Sequence, residues 1–286
     1  MRKKKMTALL ALPYGVYALI FIVAPLLLIV LYSFCTDPRH GITLTLEHFR
    51  TFFDFSNPVY LKVLWRSLYI AFFSTVICLL LGYPMALILS RLRPRVRAVL
   101  SVLFVLPMWM NFLLRTYSWM SLLEKTGLIN SALAAMGLPA WNIMYTQWAV
   151  VLGSVYNFLP FMILPIYTVL MKLDKSYIEA AQDLGANGPL TFLRVVLPLS
   201  VSGIVSGVTM VFIPSTTTFA ISQLLGGGMT MLYGDLIYMK FITEQAWSAG
   251  SALAIMLLIF VLLSMAIMRR AERAGGKQAE GGNRLW

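Results

Sequence analysis

The chain has 286 residues, 59% of them hydrophobic and 12% charged, with a net charge of +12 and a mean hydropathy of +0.80. A water-soluble domain could not cover so much apolar surface, so the composition excludes the ordinary soluble classes and makes the bilayer the solvent. Each crossing takes roughly 20 mainly apolar residues, which leaves no room for a separate soluble catalytic domain.

In chain order, the apolar runs are Leu9–Phe34, Val63–Ser90, Ala98–Leu122, Trp148–Met171, Val196–Ser222 and Ser248–Met268. They predict an all-α membrane protein of six transmembrane helices spread over residues 9–268. The basic start "MRKKK" is like that of a signal peptide, but the apolar run behind it is too long for one, so an uncleaved first span is expected. With the N-terminus inside, sixteen of the 23 Lys and Arg residues fall on the inner side. They are Arg2 to Lys5, Arg91, Arg93, Arg95, Arg97, Lys172, Lys175, Arg194, Arg269, Arg270, Arg273, Lys277 and Arg284. Such a bias puts both termini in the cytoplasm: residues 1–8, the loops 91–97 and 172–195, and the tail 269–286 face inward. The loops 35–62, 123–147 and 223–247 then face outward. The positive charge is a topology signal and does not call for nucleic acid.

Catalytic and metal-binding patterns are missing. His40 and His48 are the only histidines and share one outer loop, so no HExxH or His-rich metal site can be built. Cys35 and Cys78 have no thiol-ligand spacing and are expected to be small packing residues. There is no nucleophile elbow and no Walker phosphate loop; "LLGGGM" (Leu224–Met229) lacks the lysine and is expected to be a flexible outer loop. The chain is therefore not expected to be an enzyme or to bind ATP or any other cofactor.

The strongest local pattern is "KSYIEAAQDLGANGPLTFLRVVLPLS" (Lys175–Ser200), a polar piece between two spans. Ser176 with Glu179 fits a capping box that would start a helix at Tyr177. Asp183 closes the run of helix formers, and Gly185 can take the left-handed conformation that ends a helix. "NGP" (Asn187–Pro189) turns the chain, and a second helix from Leu190 to about Val196 leads into Leu197-Pro198.

Glu179-Ala180-Ala181, Gly185, Val195 and Leu197-Pro198 stand at the spacing of the EAA signature, and the chain resembles the inner-membrane permeases of ABC importers, the binding-protein-dependent transport family. Val195 stands where the family often has Ile. The resemblance implies a cytoplasmic coupling helix that docks into a separate ATPase. Ala180 and Ala181 would allow close approach, Gly185 would set the angle, and Glu179 would offer a charge. It also implies a second, homologous permease subunit, two ATPase copies that carry the ATP, an extracytoplasmic binding protein and surrounding lipid. "LGYPMALILSRL" (Leu81–Leu92), "LPMWMNFLLRTYSWMSLLEKTGLIN" (Leu106–Asn130) and "FAISQLLGGG" (Phe219–Gly228) are similar to the spermidine/putrescine branch. "YGD" (Tyr233–Asp235) departs from the "GN" expected there.

A polycation crossing a low-dielectric passage needs carboxylates, aromatic faces or carbonyl oxygens. Outer-side candidates are Glu124, Asp235 and Glu244, with Tyr117 among the aromatics. The proline break in "FIPSTTTF" (Phe212–Phe219) adds Thr216 and Thr217 as residues able to line the path or to satisfy the carbonyls that Pro214 frees. Arg115 is expected to snorkel to the interface or to pair with Glu124, and on charge alone it fits an anion path as well. Other readings are an ABC permease for an anion or metal complex, or a secondary transporter; no Asp or Glu deep in a predicted span favours ion coupling.

Overall fold

The computed structural model describes residues 13–36, 43–54 and 58–281, with side chains described through Arg270. The expectations for Arg2 to Lys5, His40, Arg273, Lys277 and Arg284 lie outside the described residues or side chains.

The helices, in chain order, are α1 (Pro13–Ser33), α2 (Glu47–Phe52), α3 (Val59–Arg91), α4 (Pro94–Trp109) and α5 (Phe112–Leu123). They continue with α6 (Leu128–Ala135), α7 (Gln147–Lys172), α8 (Lys175–Asp183), α9 (Gly188–Leu199) and α10 (Val201–Thr217). The last three are α11 (Ala220–Gly226), α12 (Tyr233–Tyr238) and α13 (Trp247–Gly281). Among the described residues four helices are long and apolar enough to cross a membrane: α1, α3, α7 and α13 to Arg270. The count reaches six when two bent pairs are each one span.

Those two pairs add sharp bends to the regions of the third and fifth apolar runs. Between α4 and the run Phe112–Ala135 the axis turns by 92°. The last turn of α4 tightens into a 3₁₀ helix at Pro107, Met110 is extended, and Asn111 starts a new helix by accepting the Leu113 N–H on Oδ1 at 2.8 Å. Between α9 and α10 the turn is 64°, at Ser200, and α10 ends at Thr217 rather than running on to Ser222. Hydropathy averages over such breaks because the residues on both sides are apolar.

The chain forms two compact units, one from Met1–Lys62 and Leu236–Phe260, the other from Val63–Asp235 and Val261–Trp286. In the larger unit α7 is the central helix. Gly203 and Gly207 of α10 stand where any Cβ would press on Ile166 and Met162, and Gly153 of α7 takes Ile221 and Leu225 of α11 in the same way. Gly82 of α3 meets Met162 from another side. Small residues at helix contacts are what membrane packing demands, since lipid tails give helices no hydrophobic reason to associate and close backbone approach must supply the attraction. Cys78 is buried in this core with its thiol directed at the Val155 carbonyl, and Cys35 is buried in the smaller unit; both are free.

In the smaller unit, Phe52 stacks on Tyr60, and His48 Nε2 lies 3.2 Å from the Cys35 carbonyl. Phe241 packs edge-on against Trp247 and fills the space that Gly250 leaves open. Along α1 no residue of the apolar window is buried.

Candidate functional site

The polar piece between α7 and α10 is an elbow of two short arms, α8 and α9. Its first helix starts two residues earlier than predicted, at Lys175, because Asp174 caps it: the carboxylate accepts the Ser176 N–H at 3.0 Å. That backbone bond, with a side-chain bond from Ser176, lowers the Asp174 pKa from its ordinary value. The Ser176–Glu179 capping box is thereby corrected. Ser176 lies inside the helix and Glu179 is exposed, so its charge is open to a partner.

The arm ends as Gly185 predicts. Gly185 has φ +84°, its N–H bonds the Gln182 carbonyl at 2.8 Å, and the Ala186 N–H bonds the Ala181 carbonyl at 3.0 Å. These two bonds make a Schellman motif, with Gly185 in the one conformation that an L side chain resists. Asn187, a cap that the sequence reading passed over, then starts α9 by accepting the Leu190 N–H at 3.0 Å.

The elbow's surface is built for contact. Glu179 and Asp183 are exposed four residues apart on one side of α8, and Asp183 sits at the negative end of the helix dipole. Both arrangements cost the isolated helix stability, and a basic partner surface would offset that cost. Tyr177 (54% exposed) and Leu184 (89%) stand seven residues apart and add an apolar stripe that the motif alone does not reveal. Ala180 is exposed and Ala181 half-buried; at the root Leu197 is half-buried and Pro198 exposed. Ser200 is held by Tyr83 of α3 through a 2.8 Å hydroxyl–hydroxyl hydrogen bond, and the Tyr83 ring meets Phe192 of α9 edge-on at 5.6 Å.

The candidate path residues belong to both units, Glu244 to the smaller and the rest to the larger. Tyr117 and Glu124 are exposed, on α5 and at its C-terminal cap. Glu124 lines a cavity of about 430 Å³ with Lys125, Asn142 and Tyr145. Glu244, in the smaller unit, is exposed and paired with Lys240 at 2.5 Å. Thr216 is buried and donates to the Phe212 carbonyl at 2.8 Å, and Thr217 donates to the carbonyls of Ile213 and Pro214. Both hydroxyls are thus spent on α10 itself, on carbonyls other than that of Met210, which Pro214 leaves without its helical donor.

Asp235 is a buried acid: it is 7% exposed, and its Oδ2 accepts the Ser222 hydroxyl at 2.5 Å and the Leu232 N–H at 2.8 Å. Burial pushes its pKa up, and the bonds from Ser222, Leu232 and, more weakly, Gln223 pull it back; Oδ1 has no partner of good geometry. The expectations for Arg115 and "LLGGGM" are corrected. Arg115 neither snorkels nor pairs with Glu124; it is 8% exposed, with Nε and Nη1 buried and unpartnered. "LLGGGM" is a built turn, with Leu224 to Gly226 in α11 and Gly227 (φ +56°) lying against the Tyr145 ring.

Comparison with known proteins agrees with this architecture. Residues 78–274 match the family described as binding-protein-dependent transport system inner membrane component. The spermidine/putrescine transport system permease protein PotB of Haemophilus influenzae is 38% identical over 269 residues, 92% of this chain and 93% of that one. PotB of Escherichia coli is 36% identical over 269 residues, 92% and 97% of the two chains. Among solved structures, a bacterial alginate ABC transporter in complex with its alginate pentasaccharide-bound periplasmic protein aligns with a TM-score of 0.80 at 16% identity, over 96% of each chain. The methionine ABC transporter MetNI in an inward-facing conformation aligns at 0.55 and 18% identity, over 75% of this chain and 95% of that one. The chain belongs to the binding-protein-dependent transport system inner membrane component family, a family of multi-pass transport permeases and not of enzymes.

Proposed function

We propose that the chain is the permease subunit of an ATP-driven importer of spermidine or putrescine, with both termini and the elbow in the cytoplasm. The observation that carries the substrate is the 36–38% identity to PotB proteins over 92% of the chain. The Schellman-ended elbow, with Glu179, Asp183, Tyr177 and Leu184 turned outward, supports the coupling role. A short, stiff arm moves as one body when an ATPase pair closes on it, and it can rock the spans to which it is rooted. A second permease subunit would cover part of the apolar surface, lipid the rest, and a binding protein would deliver the cation from outside. ATP belongs to the partner ATPase.

On this reading, Glu124 and Tyr117 are the first groups to meet the solute. A carboxylate attracts an ammonium by charge, and an exposed aromatic face attracts it by the ring quadrupole. Buried Arg115 is the one feature that favours an anionic cargo. Uptake of labelled putrescine by vesicles holding the complete transporter tests the assignment, with sulfate and an iron complex as controls. ATP-dependent putrescine entry supports it; sulfate entry without putrescine entry overturns it.

A further inference from the structure

Residues 232–235 join three helices of the larger unit within four consecutive positions. The Leu232 N–H and the Ser222 hydroxyl of α11 both donate to Asp235 Oδ2. The Tyr233 N–H donates to Ser67 Oγ of α3 at 2.7 Å, a bond between residues 166 apart in sequence. Gly234 lies directly on the carbonyls of Thr217 and Thr218 that end α10, where any Cβ would overlap them. One residue later, at Leu236, the chain passes into the smaller unit. The corner is therefore the last fixed point before that crossing.

From this geometry we infer that Asp235 is a positioning residue, a buried hydrogen-bond acceptor that latches the corner to α11, and that its negative charge is not needed on the solute's route. Both groups that reach Oδ2 are donors, so the site asks for one oxygen with two lone pairs. An amide oxygen meets that demand, and the NH2 of an asparagine would take the place of Oδ1, which has no hydrogen-bond partner of good geometry. A methyl group meets none of it: the Leu232 N–H is left buried without its acceptor, and the Ser222 hydroxyl keeps only the Phe219 carbonyl at 2.7 Å.

The test compares Asp235→Asn with Asp235→Ala in the complete transporter, reading the kcat and KM of solute uptake together with ATP hydrolysis. The latch predicts that Asn keeps both constants within about twofold, because its carbonyl oxygen preserves the two bonds. Ala should lower kcat about tenfold or more, or prevent assembly, with KM close to wild type in whatever transporter forms. Ala at the wild-type rate overturns the proposal, as does Asn with a KM raised about tenfold, the mark of a charge that binds the cation. Failure of the Asn variant to assemble overturns it as well. The latch rests on the proposed function only through the solute used. If wild-type transporter moves no polyamine, that reading fails alone, and the two variants are compared by ATP hydrolysis in the presence of the binding protein.

Discussion

The Tyr83 hydroxyl and the Ser200 hydroxyl meet at 2.8 Å inside the larger unit, joining α3 to the residue at which α9 turns by 64° into α10. Ser200 also donates to the Leu197 carbonyl at 2.9 Å, so the two bonds fix the root of the elbow from opposite sides. A push on the elbow therefore reaches two spans together, α10 through the backbone and α3 through Tyr83.

Removing that hydroxyl should loosen the coupling more than the fold. Tyr83→Phe gives up one buried hydrogen bond, worth about 1 kcal/mol, while the ring keeps its edge against Phe192. The expected result is a small fall in thermal stability with fewer solute molecules imported per ATP hydrolysed. Parallel assays of uptake and phosphate release on one preparation check it; an unchanged ratio contradicts it.

Gly185 offers a separable test, because a Cβ there meets no other atom and the whole penalty comes from φ +84°. Gly185→Ala should cost about 1 kcal/mol in the elbow, and Gly185→Val more, since a β-branched chain resists the left-handed region further. Import should fall in the order Gly, Ala, Val while the spans stay assembled. Equal import by the wild type and both variants would show that the angle is not needed.

Asp174 governs the start of α8 through a side-chain oxygen that accepts the Ser176 N–H, a bond that an amide in its place can also accept. Its pKa is lowered on folding, so its contribution is full above the unfolded pKa and is lost as pH falls through the folded one, below the ordinary value of 3.8. Near neutral pH the cap is complete. Asp174→Ala should speed hydrogen exchange of the amides at Ser176 to Ile178, and Asp174→Asn should leave it close to wild type.

The carboxylates of Glu244 and Glu124 should differ. Glu244 already has Lys240 at 2.5 Å, whereas Glu124 has no ion pair among the described residues and lines a cavity. Glu124→Gln is expected to raise the KM for polyamine severalfold, and Glu244→Gln to change it little, because exposed pairs are worth about 0–1 kcal/mol. Initial uptake rates over a range of putrescine concentrations decide it; a larger effect at Glu244 reverses the order of the two residues.

What the sequence made legible was local. Gly185 and the helix before it follow from caps and propensities that act within a few residues, and the apolar runs mark where the chain lies in the bilayer. The breaks at Asn111 and Ser200 were not legible, since hydropathy is the same on both sides of each. Asp174 was passed over because the Ser176–Glu179 spacing offered an equally good local start; only the backbone decides between two adjacent caps. The burial of Asp235 is not legible because the donors that hold it, the Ser222 hydroxyl and the Leu232 N–H, are brought to its carboxylate only by the fold. Arg115 is the residue whose burial neither composition nor spacing explains.

Charge reversal at the elbow tests the central claim most directly. Glu179 is exposed and its side chain makes no hydrogen bond or ion pair among the described residues, so Glu179→Lys is expected to leave the fold intact and to alter the surface offered to the ATPase. In vesicles containing the assembled transporter, the account predicts that ATP-driven uptake collapses while the variant permease still reaches the membrane and retains wild-type stability. Uptake at the wild-type rate by that variant would contradict it.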